Sequence, residues 1–325
     1  VYLTYPLLLV LLFVGSKFSG KGEWNDDFLS LKQTKALQGF CAVCIIFHHL
    51  SQKTCAPWLK PAYIVHGLDL FVPIGYLFVG IFFFCSGYGL VKSYKSKENY
   101  LNGFLGKHIP PLLIALAFSA FIFITARAWM KAGFPSFFTI GEPDQFNPNA
   151  WFPITLIVFY IGFYFAFKYS KSTLKAILIT CGIVVLYCLY CDFMLFGTWW
   201  YNSVSGFVLG LFVAQYEKPL VEKAKKHYIP SLIISIIITA GFFILSVYDK
   251  DVVPRLVVLF AQLISAAGFV TSVMLLGMKI KIGNKVLYFL GGFTLELYLV
   301  HNLFIEMFGY CFLREGVDPV YYISN

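Results

Sequence analysis

Ten long apolar runs, separated by short polar segments, constrain the fold of this chain of 325 residues more than any other feature. The runs lie at about 1–15, 36–50, 71–91, 109–130, 151–168, 175–192, 203–216, 229–247, 255–278 and 286–308. Because backbone that faces lipid must satisfy its own hydrogen bonds, such runs predict membrane-spanning α-helices. The runs 36–50 and 203–216 are short, so we expect their helices to extend into the flanks.

The composition excludes a water-soluble globule of this size. Hydrophobic residues make up 59% of the chain and charged residues only 13%, against about 25% in a soluble domain. The net charge of +9 does not indicate a nucleic-acid surface, because the lysines lie in short loops between apolar runs. We predict an all-α, polytopic transmembrane helix bundle of about ten spans, one domain over 1–325 without a separate soluble domain. The chain begins without Met inside an apolar run, so the span count is a lower bound and both ends are open to truncation.

The distribution of lysine predicts the orientation of the bundle. Lysines concentrate in four of the polar segments, namely 92–108, 168–175, 218–227 and 279–285. The alternate segments 131–150, 192–202 and 248–254 are poorer in lysine and carry Glu142, Asp144, Asp192, Asp249 and Asp251. Lysine-rich loops are typical of the cytoplasmic side. We therefore expect the first set and residues 16–35 inside, and Val1 and Asn325 outside.

Ionisable side chains within the apolar runs are the first candidates for function, because burying them in lipid is costly. They are His48, His49, Glu296 and His301, with Arg127 near an outer end. We interpret Arg127 as an interfacial residue whose guanidinium reaches the headgroups. A lone histidine can simply hydrogen-bond a neighbouring helix. Three histidines near the outer ends of two spans favour proton transfer.

Six short motifs, taken in order, carry a resemblance to a known family. They are the stretch Gln38–Leu50, the string Phe82-Phe83-Phe84-Cys85-Ser86-Gly87-Tyr88, the segment Phe104–Pro110, the pair Trp151-Phe152, the segment Trp199–Ser203, and Leu295–His301 with Tyr298-Leu299-Val300-His301. Together they resemble acyltransferase family 3, the integral-membrane O-acyltransferases of bacterial surface glycans. The resemblance covers about residues 34–302, and the spacing of the first motif matches the family histidine to His49, with His48 beside it.

The resemblance implies a chemistry and a set of partners. The donor would be an acyl-CoA, most often acetyl-CoA, although a succinyl donor stays open. The acceptor would be a hydroxyl of a cell-surface polysaccharide, glycolipid or teichoic-type polymer, at a bacterial plasma membrane. The lipid bilayer is a further expected partner, whereas no bound cofactor, metal or nucleic acid is expected. The oligomeric state stays open.

Three groups of residues follow as candidates for the site. The catalytic candidates are His49, His48, Ser86 and His301. The donor-binding candidates are Lys35, Gln38, Lys92, Lys107, His108 and Tyr88. The acceptor-binding candidates are Trp151, Trp199, Asn202, Tyr298 and Glu296.

The chain departs from the family pattern at two places. Gln38 stands where the family has an arginine, and Pro110-Pro111 follow Lys107-His108 where a further arginine is common. Neither glutamine nor lysine reproduces the bidentate grip of a guanidinium on phosphate. Lys35 lies three residues before Gln38 and so shares its helix face. We hypothesise that Lys35 supplies the displaced charge.

Helix geometry predicts that the donor-binding residues and the histidines lie toward opposite faces of the membrane. His49 follows Lys35 by 14 residues, about 21 Å of helix rise, and His301 follows Lys285 by 16 residues, about 24 Å on a continuous helix. The histidines would approach the outer leaflet while the donor enters from inside. Ser86 would lie near the inner end, either to orient the donor or as a small-residue helix contact with Gly87.

Several alternatives stay open on sequence. A histidine could deprotonate the sugar hydroxyl or carry the acyl group itself. The tryptophans suit an aromatic belt as well as sugar stacking. A transporter or flippase of a lipid-linked sugar would also contain buried histidine and glutamate. A catalytically degenerate membrane sensor would account for Gln38.

Overall fold

A computed structural model describes residues 3–59, 61, 64–130, 147–248 and 253–312. These residues form α-helices joined by short connections and one pair of very short strands. The helices are α1 (Thr4–Phe13), α2 (Leu31–Thr54), α3 (Phe71–Ser96), α4 (Phe104–Trp129), α5 (Trp151–Tyr169), α6 (Thr173–Phe193), α7 (Ser205–Gln215), α8 (Glu217–Lys226), α9 (Tyr228–Val247), α10 (Arg255–Gly277), α11 (Lys285–Leu290) and α12 (Thr294–Phe312). The strands are β1 (Lys17–Phe18) and β2 (Ile280–Lys281), which pair antiparallel.

The predicted all-α bundle is confirmed, but the count of about ten spans is not. Among the described residues, six helices are long and apolar enough to cross a membrane, namely α3, α4, α5, α6, α9 and α10. The runs 1–15 and 203–216 form α1 and α7, of 10 and 11 residues. At 1.5 Å per residue each is only about half of the roughly 30 Å hydrocarbon core. Helices α2 and α12 are longer but carry polar side chains along their length.

Two expectations about helix boundaries differ from the structure. The run 203–216 does not extend, because α7 ends at Gln215 and the charged helix α8 follows after one residue. The run 286–308 is not one helix, because it breaks at the Gly291-Gly292 pair between α11 and α12. The rise expected between Lys285 and His301 on a continuous helix is therefore wrong. The run 36–50 does extend at both ends, as predicted.

Helix α3 lies at the centre of the bundle, where it packs against α2, α7 and α10. A Cβ atom at Gly87 would overlap the carbonyl group of Phe207 in α7, and one at Gly206 would overlap the carbonyl oxygen of Gly80. The backbones of α3 and α7 therefore touch, which is the small-residue contact that Ser86-Gly87 allowed. Helices α4 and α9 lie at the periphery, since only 17% and 11% of their apolar windows are buried.

The lysine-rich segments lie together at one end of the bundle. Lys281 pairs with Asp27 at 2.6 Å and Lys225 with Asp26 at 2.6 Å. Lys92 pairs with Glu217 at 2.8 Å. The Lys281 ammonium also lowers the pKa of the Asp27 carboxyl through their hydrogen bond. This arrangement agrees with the orientation prediction, whose assignment to the cytoplasm stays a prediction. Glu142, Asp144, Asp249 and Asp251 lie outside the described residues.

The contact between α3 and α7 can be tested with two glycines of the same helix. Gly87→Ala places a methyl group against the Phe207 carbonyl, and overpacking of this kind costs about 1–3 kcal/mol. Gly89→Ala meets nothing within 4 Å, so the matched control keeps or slightly raises stability through better helix propensity. Thermal unfolding in detergent micelles measures both. Equal melting temperatures for the two variants would contradict the close backbone contact.

Candidate functional site

Three histidine rings meet where α2 and α12 pack together, and we call them the histidine cluster: His48, His49 and His301. The rings of His49 and His301 are stacked, with centroids 4.8 Å apart and an interplanar angle of 17°. The rings of His48 and His49 lie 4.9 Å apart at 45°. His49 and His301 are 252 positions apart in the chain (301 − 49), yet they form one site. The structure brings together the three histidines that sequence analysis selected.

The hydrogen bonds of two of these rings determine which nitrogen carries the proton. His301 Nδ1 lies 3.0 Å from the carbonyl oxygen of Leu297, and His48 Nδ1 lies 2.8 Å from that of Phe71. A carbonyl oxygen can only accept, so in each case Nδ1 is the donor. A neutral ring then keeps its lone pair on Nε2, which is the form of a general base.

The remaining nitrogens of the cluster separate the roles of the rings. His301 Nε2 and both ring nitrogens of His49 are buried and have no hydrogen-bond partner among the described residues. Leaving such a group unsatisfied costs about 1–3 kcal/mol each, so a stable core rarely retains it without reason. The His48 ring instead packs over Gly75, where a Cβ atom would overlap it. The geometry thus makes His49 and His301 available for chemistry and His48 a ring held against α3.

Aromatic side chains form a wall beside His301. The Tyr298 ring lies 5.9 Å from the His301 ring, 5.1 Å from Phe152 and 6.3 Å from Trp151, the last edge-on at 77°. Trp151 is only 5% exposed, so the membrane-belt interpretation is wrong for this residue. Its indole is packed inside the bundle because α5 begins against the turn of α12 that carries Tyr298. Tyr298 is therefore a neighbour of the histidine cluster, and Trp151 packs behind it; their role in acceptor binding stays a prediction.

Two buried asparagines, Asn147 and Asn149, and the half-buried Asn302 hold this turn of α12, and we call the three the asparagine clamp. Asn149 Nδ2 donates to the Tyr298 carbonyl at 2.7 Å, and Asn147 Nδ2 donates to the Leu299 carbonyl at 3.0 Å. Asn302 Nδ2 donates to Asn149 Oδ1 at 3.0 Å. Sequence analysis missed this clamp. The available signal was an Asn-Pro-Asn string next to the predicted start of a span.

A buried ion pair lies one to two helix turns further along α12. Arg127 of α4 donates from Nε to Glu306 Oε2 at 3.2 Å and from Nη2 to Oε1 at 3.0 Å. The two side chains are 8% and 7% exposed. The interpretation of Arg127 as an interfacial residue is therefore wrong, because a bidentate carboxylate partner satisfies it inside the bundle. Sequence analysis overlooked Glu306, although it lies within the last predicted span.

A second polar group lies further along α3, on the side of the lysine-rich end. Ser86 Oγ and the Tyr160 hydroxyl are 2.9 Å apart, and the Tyr160 ring lies 5.8 Å from the His108 ring. Tyr100 completes the group, with its hydroxyl 3.4 Å from His108 Nε2. The structure thus connects Ser86 and His108 through Tyr160, which sequence analysis missed. Gly75 of α3 touches His48. Ser86 follows Gly75 by 11 residues (86 − 75), which is about 16 Å along the helix.

The other predicted donor residues are spread over the lysine-rich end. The Tyr88 hydroxyl and Lys92 Nζ both donate to Glu217 Oε2, at 2.9 and 2.8 Å. Lys107 is exposed in the first turn of α4. Lys35 and Gln38 are half-buried on α2, where the Lys35 carbonyl meets Gly291 closely. The structure therefore keeps these residues apart from the histidine cluster, and it gives Tyr88 and Lys92 an acidic partner.

Three predicted acceptor residues lie away from the aromatic wall. Glu296 is exposed in the first turn of α12, because the helix begins only at Thr294. A carboxylate there suits the helix dipole, so its place in a span was a misleading signal. Trp199 is 48% exposed, in a 3₁₀ turn between α6 and α7. Asn202 is buried, and its Oδ1 has no partner among the described residues.

The asparagine clamp can be tested as a coupled pair. Asn149→Ala removes the donor to the Tyr298 carbonyl and strands the Asn302 amide, so we expect a loss of about 1–3 kcal/mol in stability. In a double-mutant cycle, adding Asn302→Ala should cost less than the sum of the single effects. Unfolding midpoints in detergent measure the three variants. Strict additivity would contradict the clamp.

Comparison with known proteins places these features in a family. A family model described as an acyltransferase domain matches residues 33–324, which is most of the chain. No curated protein and no solved structure matches the chain significantly. The match includes the histidine cluster, the asparagine clamp and the group around Ser86. With its helices of membrane-spanning length, the chain belongs to acyltransferase family 3 and is a membrane acyltransferase.

Proposed function

We propose that this protein moves an acyl group, most often acetyl, from cytoplasmic acyl-CoA to a hydroxyl of a cell-surface glycan or glycolipid. The observation that carries the proposal is the buried His49–His301 pair with its unpartnered ring nitrogens. A hydroxyl is weakly acidic, so its attack on a thioester needs a base aligned with the reacting oxygen. The proposed setting is a bacterial plasma membrane, which the protein crosses several times.

The chemistry follows from the lone pair on His301 Nε2. The acceptor hydroxyl would donate to this nitrogen and lose its proton as the oxygen attacks the thioester carbonyl carbon. The new C–O bond forms, the C–S bond breaks, and the proton passes from the imidazolium to the departing thiolate. The stacked His49 ring could instead be the first proton acceptor, or it could carry the acyl group as a covalent intermediate. Both routes use the same pair and lead to the same products.

The positions of the two polar groups support a donor that reaches along α3. The group around Ser86 lies on the side of the lysine-rich end, where lysines attract an anionic CoA. The histidine cluster lies about three helix turns further on. A flexible pantetheine arm would then carry the thioester past Ser86 and Tyr160 to the histidines. The acceptor would approach from the side of Tyr298 and Trp151.

Two other functions compete with this proposal. The buried Arg127–Glu306 pair is the kind of intramembrane charge found in proton-coupled transporters, which keeps a flippase of a lipid-linked sugar as the second candidate. Movement of labelled lipid-linked sugar across proteoliposomes without acyl-CoA would favour it. A degenerate membrane sensor is the third, motivated by Gln38. Binding of acyl-CoA without any turnover would favour that function.

The histidine pair predicts a specific pattern of activity loss. We expect His49→Ala and His301→Ala each to lower transfer from labelled acetyl-CoA by 10²-fold or more, in the range of general-base catalysis. His301→Asn keeps a donor near the Leu297 carbonyl but has no lone pair at the Nε2 position, so it should be equally inactive while the melting temperature is preserved. His48→Asn, which keeps a donor for the Phe71 carbonyl, should retain most activity.

The controls of this experiment also test the assignment within the pair. Loss of activity only in the His48 variants would show that the wrong ring was chosen. An active His301→Asn variant would mean that His301 has a structural role. No turnover and no binding of acetyl-CoA by the wild type would remove the enzyme proposal altogether. The assay uses the full chain in nanodiscs with a soluble glycan fragment as acceptor and hydrolysis as the background.

The compensation hypothesis for Gln38 predicts that charge at Lys35 matters more than the amide. We expect Lys35→Ala to raise KM for acetyl-CoA several-fold and Lys35→Arg to preserve it, because the cation holds phosphate. Lys32→Ala, on the same helix and exposed, is the matched control. Unchanged activity in Lys35→Ala together with abolished activity in Gln38→Ala would reject the hypothesis.

A further inference from the structure

We propose that an open cleft at the lysine-rich end of the bundle binds the phosphorylated nucleotide end of the acyl-CoA donor. The inference rests on the proposed acyltransferase function. Nine residues line this lysine–tyrosine cleft, and the six whose side chains matter here are Tyr94, Lys97, Tyr100, Asn102, Tyr164 and Lys168. They come from the end of α3, the connection to α4 and the end of α5. Neither lysine was among the donor-binding residues predicted from sequence.

The size of the cleft suits a nucleotide. Its volume is about 700 Å³, within the range of about 300–1,000 Å³ typical of small-molecule sites. The cleft is open to the outside rather than enclosed, so a ligand can enter it from the aqueous side. A headgroup docked here would leave its arm free to extend.

The chemistry of the lining suits phosphates joined to a planar base. Lys168 Nζ donates to the Tyr164 hydroxyl at 3.1 Å and lies 5.2 Å from that ring, and Lys97 Nζ lies 5.9 Å from the Tyr100 ring. Ammonium groups bind phosphate, and tyrosine faces stack on bases with little sequence preference. Among the residues that line the cleft there is no carboxylate. Glu98, in the same connection, is exposed and does not line it.

Side chains already described link the wall of the cleft to the interior of the bundle. Tyr100 forms part of its wall and lies 3.4 Å from His108 Nε2 through its hydroxyl. His108 lies edge-on against Tyr160, and the Tyr160 hydroxyl reaches Ser86 Oγ at 2.9 Å. These side chains contact one another from the wall of the cleft to α3. In this proposal the pantetheine arm extends beside them toward the histidine cluster.

The pairing of other lysines strengthens the assignment. Lys92 binds Glu217, Lys225 binds Asp26, and Lys281 binds Asp27, so carboxylates already neutralise these cations. The hydrogen bond that holds Lys168 goes to a neutral phenol instead. Its charge is therefore available to an anion. The phosphate of an anionic lipid headgroup has the same chemistry, so the experiment needs an arm that separates the two sources.

The test compares two donors that share a thioester but differ in the nucleotide. The full chain is reconstituted in nanodiscs of zwitterionic lipid, and the KM is measured for acetyl-CoA and for S-acetyl-pantetheine. In a Lys97→Ala/Lys168→Ala double variant we expect the KM for acetyl-CoA to rise about tenfold or more, the scale of a lost charge-assisted hydrogen bond. The kcat and the KM for S-acetyl-pantetheine should not change. Lys171→Ala, an exposed lysine that does not line the cleft, is the matched control.

Each result supports or overturns the inference. Inhibition of the wild type by adenosine 3′,5′-bisphosphate, weakened in the double variant, would support it. A KM for acetyl-CoA equal to that of Lys171→Ala, or an equal rise for both donors, would overturn it while leaving the acyltransferase proposal intact. An effect seen only in vesicles with anionic lipid would assign the cleft to a headgroup and also overturn it. No turnover by the wild type would remove the proposed function and this inference with it.

Discussion

Polar groups inside a membrane-embedded helix bundle have no water to bind, and this constraint organises the rest of the structure. Two amides of the asparagine clamp, from the segment before α5, donate to the carbonyl oxygens of Tyr298 and Leu299 inside α12. The Arg127–Glu306 pair satisfies two opposite charges with two hydrogen bonds between α4 and α12. Helix α12 is thereby held in one rotation about its axis, and this rotation turns His301 toward α2.

Some of the exceptions to that constraint lie in the histidine cluster. His49 and His301 retain buried nitrogens without partners among the described residues, at a place where neighbouring polar groups are carefully matched. Nearby, the same bundle buries two asparagine amides and an ion pair together with their hydrogen-bond partners. The proposed function would give these free nitrogens a use, namely the transfer of a proton from an acceptor hydroxyl.

Ionisable side chains within apolar runs could be selected from the sequence, because burying them in lipid is costly. The sequence misled where the role of a residue depends on a distant contact partner. The histidines were found because imidazoles in apolar runs are rare. Arg127 was misjudged because its partner is 179 residues away, and nothing local distinguishes a buried arginine from an interfacial one. Tyr160 is one of 21 tyrosines, so only its contact with Ser86 singles it out. Glu296 was selected for its place in an apolar run, but the helix begins two residues earlier and leaves it exposed.

The sequence by itself determined the membrane class, the helical fold, and the grouping of lysines at one end, because hydropathy and charge act locally along the chain. It also determined the family, through motifs of fixed order. Only the tertiary structure decided that the run 203–216 forms the short helix α7, which ends at Gln215. Only the tertiary structure decided that His49 meets His301 and that Lys97 and Lys168 share a cleft. Those neighbours depend on how distant helices pack, and no local pattern encodes that geometry.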